Sequence, residues 1–272
     1  MHLLWILFAA MLLIPLYLFL VAPRMLHKPD YSRLRGAHYA HRGLFDNRTD
    51  APENSVLAFQ KAVEAGYGIE LDVQLSKDDI PVVFHDATLK RMCGVEGNIW
   101  EYTLAELQQM KLGNSNETIP TLASVLKAVA GKVPLIVEYK LDVAQTKICE
   151  LGNALLKDYP GVYCIESFHP LALLWYKKHR PDVVRGQLSM EFWKEDKYRG
   201  NVPLLLLSYL LPNAITRPDF IAYRHSDAKN LSRRVARRLG ALSVAWTIKS
   251  QAQFDAAKDQ FDLFIFDSFL LK

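Results

Sequence analysis

The chain has 272 residues, enough for one large hydrophobic core. Half of them are apolar and 23% are charged, which excludes a disordered or fibrous chain, and a net charge of +4 is too small to demand nucleic acid as a partner. The scattered Cys93, Cys149 and Cys164 show no CxxC spacing, so neither a disulfide framework nor a zinc site is indicated, and their odd number fits a reducing compartment.

Residues 3–22, LLWILFAAMLLIPLYLFLVA, form an uncharged run of 20, long enough to cross ~30 Å of hydrocarbon as a helix. Pro15 is tolerable in such a segment. A cleaved signal peptide wants Lys or Arg before its apolar run, whereas only His2 and the terminal amine stand there. Arg24, Lys28, Arg33 and Arg35 follow the run instead. The expectation is a single-pass transmembrane anchor at 1–23, a basic juxtamembrane linker at 24–36 and, by the positive-inside rule, a catalytic domain at 37–272 on the cytoplasmic face. Membrane lipids would then be partners.

Strand-like apolar runs follow at 38–41, 68–73, 81–84, 134–138, 162–166, 183–188, 219–223, 241–247 and 263–266. Helical patterns lie between them at 54–66, 103–111, 121–130, 142–157, 170–179, 228–239 and 250–258. Alternation of strand and helix over most of the chain predicts a parallel sheet, and about eight repeats predict closure into an α/β barrel. Thr103 with Glu106 makes a capping box, Thr121 opens another helix, and Gly113 and Gly131 act as stop signals. The cluster RRVARR, at 233–238, reads as a solvated helix face or a contact for anionic headgroups. PLLLLSYLLP, at 203–212, is apolar yet too short to span a bilayer. It reads as core, or as an apolar lip beside the active site that admits a lipid chain.

Polar groups appear where apolar strands end: His41 and Arg42, Glu70 and Asp72, His85 and Asp86, Glu138 and Lys140. In a parallel barrel these ends share one rim, the rim that carries catalysis. Glu70 and Asp72 are two apart in a strand and share a face, as do Glu138 and Lys140. Three carboxylates are hard oxygen ligands suited to Mg²⁺ or Ca²⁺. Arg42 and Lys140 add the positive charge a phosphate needs, and the two histidines are free to move protons. Together they compose a site for cleaving a phosphodiester.

The order and spacing of HRG, PENS, AFQKAVEAG, IELDVQLSKDDIPVVFHD, IPTL and EYK resemble the glycerophosphodiester phosphodiesterase family over residues 38–268. The resemblance implies a TIM barrel with a small insertion, here 87–118, and hydrolysis of glycerophosphodiesters to sn-glycerol 3-phosphate and an alcohol. It puts the proton-transfer histidines on His41 and His85, either one serving as acid or base. The metal carboxylates fall on Glu70, Asp72 and Glu138, and the phosphate-binding cations on Arg42 and Lys140. Glu53 and Asn54 match a motif beside the site, Glu53 as an orienting group and Asn54 as a helix cap. Phe168 and Trp246 match substrate-pocket positions, with core packing as the competing role; Asp267 is given no catalytic part. Ser124 departs from an acidic position, on an outward helix face.

Two substrate classes follow: free glycerophosphodiesters, or membrane lysophospholipids cleaved in a lysophospholipase D manner with the apolar lip holding the acyl chain. A catalytically dead lipid-binding scaffold is a third reading, countered by the presence of all seven expected groups. Nothing in the sequence calls for an obligate protein partner, and no basic stripe with interleaved aromatics suggests nucleic acid.

Overall fold

Alternation within each strand sorts the apolar residues into two separate cores. On Leu135–Tyr139, Leu135, Val137 and Tyr139 join a large cluster under the helices, while Ile136 joins a second cluster with Cys164, Val184, Leu188, Phe220, Leu242, Val244 and Ile265. The second set is the inside of a barrel and the first is the layer between barrel and helices. In this computed structural model, which describes residues 2–141 and 145–271, eight parallel strands close that barrel.

The strands are β1 (Tyr39–His41), β2 (Gly68–Leu75), β3 (Pro81–Val83), β4 (Leu135–Tyr139), β5 (Tyr163–Ser167), β6 (Arg185–Ser189), β7 (Phe220–Arg224), β8 (Leu242–Ile248) and β9 (Leu263–Phe266). Their order is β1-β9-β8-β7-β6-β5-β4-β2, and a β1–β2 pairing closes the ring. The TIM-barrel expectation therefore holds, with one change. The run at 81–84 is not a barrel stave: β3 pairs antiparallel with β2, so residues 68–83 fold back as a hairpin. Only a short turn, including Asp79 at positive φ, separates the two strands, and a parallel crossover needs a dozen residues or more.

The hairpin opens an excursion containing short helices at Lys90–Cys93 and Leu104–Leu107, packed on a small core of Val82, Phe84, Leu89, Ile99, Leu107 and Leu112. Thr103 and Glu106 form the expected capping box, and Thr121 Oγ1 caps Leu122–Val129. The helix expected over 142–157 is seen at Lys147–Leu156; its first residues, 142–144, lie outside the described residues. The arginine cluster is not simply a solvated face. Arg233 is buried and donates to Ala228 O, Ser243 Oγ and Gln260 O, tying its helix to the barrel.

The transmembrane anchor is not borne out. Among the described residues, no helix is long and apolar enough to cross a membrane. The helix His2–Val21 forms, but its C-terminal part is committed to the barrel. Val21 is buried, and its carbonyl accepts from Asn213 Nδ2 at 3.0 Å. Arg217 donates to Phe19 O and Ala22 O, and Tyr17 bonds Ser232 Oγ at 2.8 Å. The linker is spoken for as well: Arg24 donates to Pro181 O and Lys28 to Gly240 O. Without a span, the basic residues at 24–36 carry no vote on membrane orientation, and the placement of the barrel on a cytoplasmic membrane face falls with it.

The barrel interior is closed below the rim by tight packing. A Cβ on Gly186 would overlap the ring of Phe220, its neighbour on β7, and one on Gly68 would meet the Tyr39 ring at 2.7 Å. Gly186→Ala is therefore expected to destabilise the fold by about 1–3 kcal/mol through overpacking. Urea unfolding of the single variant and of Gly186→Ala with Phe220→Leu checks this, since the smaller partner should recover part of the loss.

Candidate active site

The site begins with the face-sharing of alternate residues. In β2, Ile69, Leu71 and Val73 lie in the outer core, so Glu70 and Asp72 point into the barrel. Register places Asp72 beside Glu138 of β4, and Glu70 beside His41 of β1. Glu70, Asp72 and Glu138 each offer an oxygen within 4.8 Å of the others, all three side chains being buried. Like charges that close cannot all ionise without a cation. Burial first, and repulsion from Asp72 and Glu138 next, push the Glu70 carboxyl well above its usual range. Glu138 is also raised, by burial, although Lys140 pulls against it. Asp72 goes the other way: burial opposes its charge, but Lys140, His85 and Arg42 outweigh burial and hold it ionised.

The surrounding residues supply those positive charges. Lys140 Nζ lies 2.9 Å from Asp72 Oδ1 and 2.7 Å from Glu138 Oε2. Despite burial, the two carboxylates keep it firmly protonated. Arg42 directs Nη1 to Glu53 Oε1 at 2.7 Å and Nε toward Asp72 Oδ2 at 3.5 Å, while its backbone N–H donates to Glu70 Oε2. It does so from a φ of +56°, a left-handed conformation that non-glycine residues rarely adopt. Gly43 follows at φ +85°, where a Cβ would come within 3.0 Å of Ala58 and Phe59. That double demand accounts for the glycine of HRG.

Asn54 is also left-handed, at φ +57°, and differs from expectation. The helix cap is Ser55, whose Oγ accepts from Ala58 N. Asn54 instead turns inward, donating from Nδ2 to Asp72 Oδ2 at 2.8 Å and fixing that carboxylate. Glu53 accepts from Arg42, Arg91 and Asn47; burial works against its charge, but these donors hold its pKa down to about 2.

The two histidines sit in different settings. His41 Nδ1 is 2.9 Å from Asp267 Oδ2, so an Nδ1–H donates to that carboxylate and leaves the Nε2 lone pair facing Glu70 at 3.9 Å. Burial lowers the His41 pKa to about 4 against the upward pull of Asp267, so the imidazole is neutral near pH 7. His85, one-third exposed, pairs Nδ1 with Asp86 at 2.6 Å. Asp86 and Glu53 are both gripped by Arg91 from the excursion, which links His85 to Arg42 through one chain of ion pairs.

His41, Arg42, Glu70, His85, Glu138 and Lys140 line a cavity of about 220 Å³, whose wall also includes Glu166, Phe168, Leu188, Trp246 and Lys249. Phe168 and Trp246 meet edge to face at 5.6 Å. The structure therefore brings His41, Arg42, Glu70, His85, Glu138, Lys140, Phe168 and Trp246 together at one cavity, with Asp72, Glu53 and Asn54 behind it. Glu166 and Arg91 escaped the sequence reading, and Asp267, given no catalytic part there, pairs with His41. Asp267 and Glu166 obey the same strand-end alternation that picked out Glu138; Arg91 carries no such signal. A second, mainly apolar cavity of about 570 Å³ shares Glu138, Lys140 and Phe168 and is walled by Leu204, Leu206 and Leu207 of the run at 203–212.

Comparison with known proteins agrees in kind. Residues 41–260 match the sequence profile of the glycerophosphoryl diester phosphodiesterase family. A glycerophosphodiester phosphodiesterase of Bacillus altitudinis is 30% identical over 213 residues, covering 70% of this chain and 81% of that protein. A lysophospholipase D of Rattus norvegicus is 32% identical over 166 residues, covering 56% of this chain and 52% of that protein. A phosphodiesterase of Oleispira antarctica, solved with its product sn-glycerol-3-phosphate, superposes with a TM-score of 0.69 at 24% identity, covering 86% and 93% of the two chains, and speaks for the fold.

The His41–Asp267 pair makes a pH prediction. His41 is depressed below the ordinary 6.5, so the unfolded chain takes up a proton that the folded site refuses, and stability falls as pH drops from 6.5 toward about 4. Asp267→Asn removes the group that pulls the value up. NMR titration of the His41 ring should then show a still lower pKa, and acid unfolding should steepen over the same interval.

Proposed function

The chain belongs to the glycerophosphoryl diester phosphodiesterase family, a group of hydrolases, and from that premise we propose that it hydrolyses glycerophosphodiesters to sn-glycerol 3-phosphate and an alcohol. The observation that carries the reading is the meeting of the buried carboxylate triad with Arg42, Lys140 and two histidines at one cavity. The donor set fits a hard divalent cation, Mg²⁺ or Ca²⁺: all three side chains offer oxygen, and a buried Glu138 oxygen has no hydrogen-bond partner. Glu70, Asp72 and Glu138 would hold it. When bound, such a cation supplies Lewis-acid chemistry, lowering the pKa of a hydroxyl and offsetting charge on a phosphoryl oxygen.

The protein groups divide the remaining work. Arg42 and Lys140 draw the phosphate and offset the charge that grows on its oxygens as the attacking bond forms. His41, neutral and with Nε2 free, takes the proton of the glycerol hydroxyl that attacks phosphorus. Asp267 fixes the tautomer and faces the imidazolium that results. His85, oriented by Asp86, gives a proton to the departing alkoxide; with the roles reversed, a water then opens the cyclic phosphate. Phe168 and Trp246 bound the substrate at the mouth.

A second reading is favoured by the apolar cavity beside Lys140. There a single acyl chain would lie along Leu204, Leu206 and Leu207 while the headgroup phosphodiester meets the same catalytic groups, giving lysophospholipase D-type hydrolysis of a lysophospholipid.

His41→Ala and His85→Ala are each expected to lower turnover of glycerophosphocholine about 10²- to 10⁴-fold. Turnover near wild type in both would remove their roles. Chelation should abolish activity, and added Mg²⁺ or Ca²⁺ should restore it. Faster cleavage of lysophosphatidylcholine than of glycerophosphocholine would select the second reading, and no cleavage of either at saturating cation would overturn both.

A further inference from the structure

One buried group at the site has no task in the scheme above. Glu166 lies on β5, in register with Glu138 on one side and Gly186 on the other. It is 1% exposed, forms part of the wall of the 220 Å³ cavity, and its Oε2 has no hydrogen-bond partner. A buried, unpartnered carboxyl oxygen costs stability, and an apolar residue would fill the position without that cost. Its neighbours do not relieve it: Gly186 brings no side chain, and Lys140 spends its contacts on Asp72 and Glu138. Nor does Glu166 belong to the carboxylate group that converges for a cation, which comprises Glu70, Asp72 and Glu138.

We infer that Glu166 is a specificity-determining residue that accepts a hydrogen bond from the glycerol hydroxyl the chemistry leaves unused. This rests on the proposed phosphodiesterase reading. Of the three glycerol oxygens, one is esterified to phosphorus, one attacks it, and the third needs a partner inside the cavity. A phosphate oxygen brings no proton for Glu166 Oε2 to accept, and Arg42 and Lys140 already stand as its donors. A hydroxyl suits, because a carboxyl oxygen accepts from it whether or not the acid is ionised. The same contact ranks the two substrate classes. A lysophospholipid acylated on that oxygen has no proton to donate there, so Glu166 favours free glycerophosphodiesters over 1-acyl lysophospholipids.

The test compares glycerophosphocholine with its analogue carrying methyl in place of the terminal hydroxymethyl group, in wild type, Glu166→Gln and Glu166→Leu. Wild type should prefer the natural headgroup about 10- to 100-fold in kcat/KM, the scale of one lost hydrogen bond to a buried polar group. Glu166→Leu should collapse the preference to about threefold or less, chiefly by raising KM for the hydroxylated substrate, and Glu166→Gln should keep most of it. If Glu166→Leu does not fold by circular dichroism, Glu166→Met, unbranched and of similar length, takes its place. Calorimetry with sn-glycerol 3-phosphate and its deoxy analogue gives an independent reading. If turnover is absent altogether, the phosphodiesterase reading fails, while a binding preference lost in Glu166→Leu still supports the contact. Equal handling of both ligands by wild type, a preference that survives Glu166→Leu, or Ca²⁺ affinity reduced tenfold or more in that variant would each overturn the inference, the last by making Glu166 a metal ligand.

Discussion

The repulsion among Glu70, Asp72 and Glu138 governs the rest of the rim. Three carboxylates with oxygens within 4.8 Å, removed from water, are tolerable only where positive charge is fixed close by, and several local features supply or aim that charge. Lys140 bridges two of the three. Arg42, on a left-handed backbone, reaches Glu70, Asp72 and Glu53 at once, and Asn54, also left-handed, holds Asp72. Strain of this kind persists where surrounding contacts over-determine the geometry. Here they do: Gly43 lets the turn press against Ala58 and Phe59, and the Arg42 carbonyl accepts the Asn54 N–H. A divalent cation would relieve the repulsion that, after burial, pushes Glu70 and Glu138 above the usual carboxylate range.

The excursion after β3 is joined to the barrel by the same electrostatics. Arg91 forms ion pairs with Asp86 and Glu53, and these two in turn hold His85 and Arg42. His85 and Arg42 thus share one structural partner outside the barrel. Any displacement of Arg91 moves both, which gives this small segment a reason to be packed on its own core of Val82, Phe84, Leu89 and Ile99 rather than left as a loose loop.

How much of this was legible in the sequence depends on whether a residue follows strand alternation. Glu70, Asp72, Glu138 and Lys140 do, and their meeting could be read from spacing alone. Glu166 and Asp267 follow the same rule, two residues beyond Cys164 and Ile265 of the inner cluster; no familiar motif marks Glu166, and the loose match of Asp267 to the last strand carries no role by itself. The 81–84 run misled because a hairpin strand and a barrel strand share the same apolar signature; only chain length between them separates the two. Arg91 was out of reach, since a charged residue in an excursion looks solvated until its partners are placed. The anchor failed for a different reason. Hydropathy says nothing of polar contacts, and at the end of this run Tyr17 and the carbonyls of Phe19, Val21 and Ala22 are held by Ser232, Arg217 and Asn213.

The packing below the rim limits what the site can accept. Phe220 occupies the space that Gly186 leaves, and Tyr39 that of Gly68, so the barrel interior is filled beneath Glu166 and a substrate can enter only from the strand C-termini. The cavity reached that way is small, about 220 Å³, and walled by charge. The larger volume, about 570 Å³, is apolar and lies outside the barrel axis, on the far side of Lys140 and Phe168. A molecule that satisfies both must be polar at the end inserted and can be apolar only at the end left outside. With Glu166 at the inner wall, the contact inferred for it would set a free glycerol hydroxyl at that polar end.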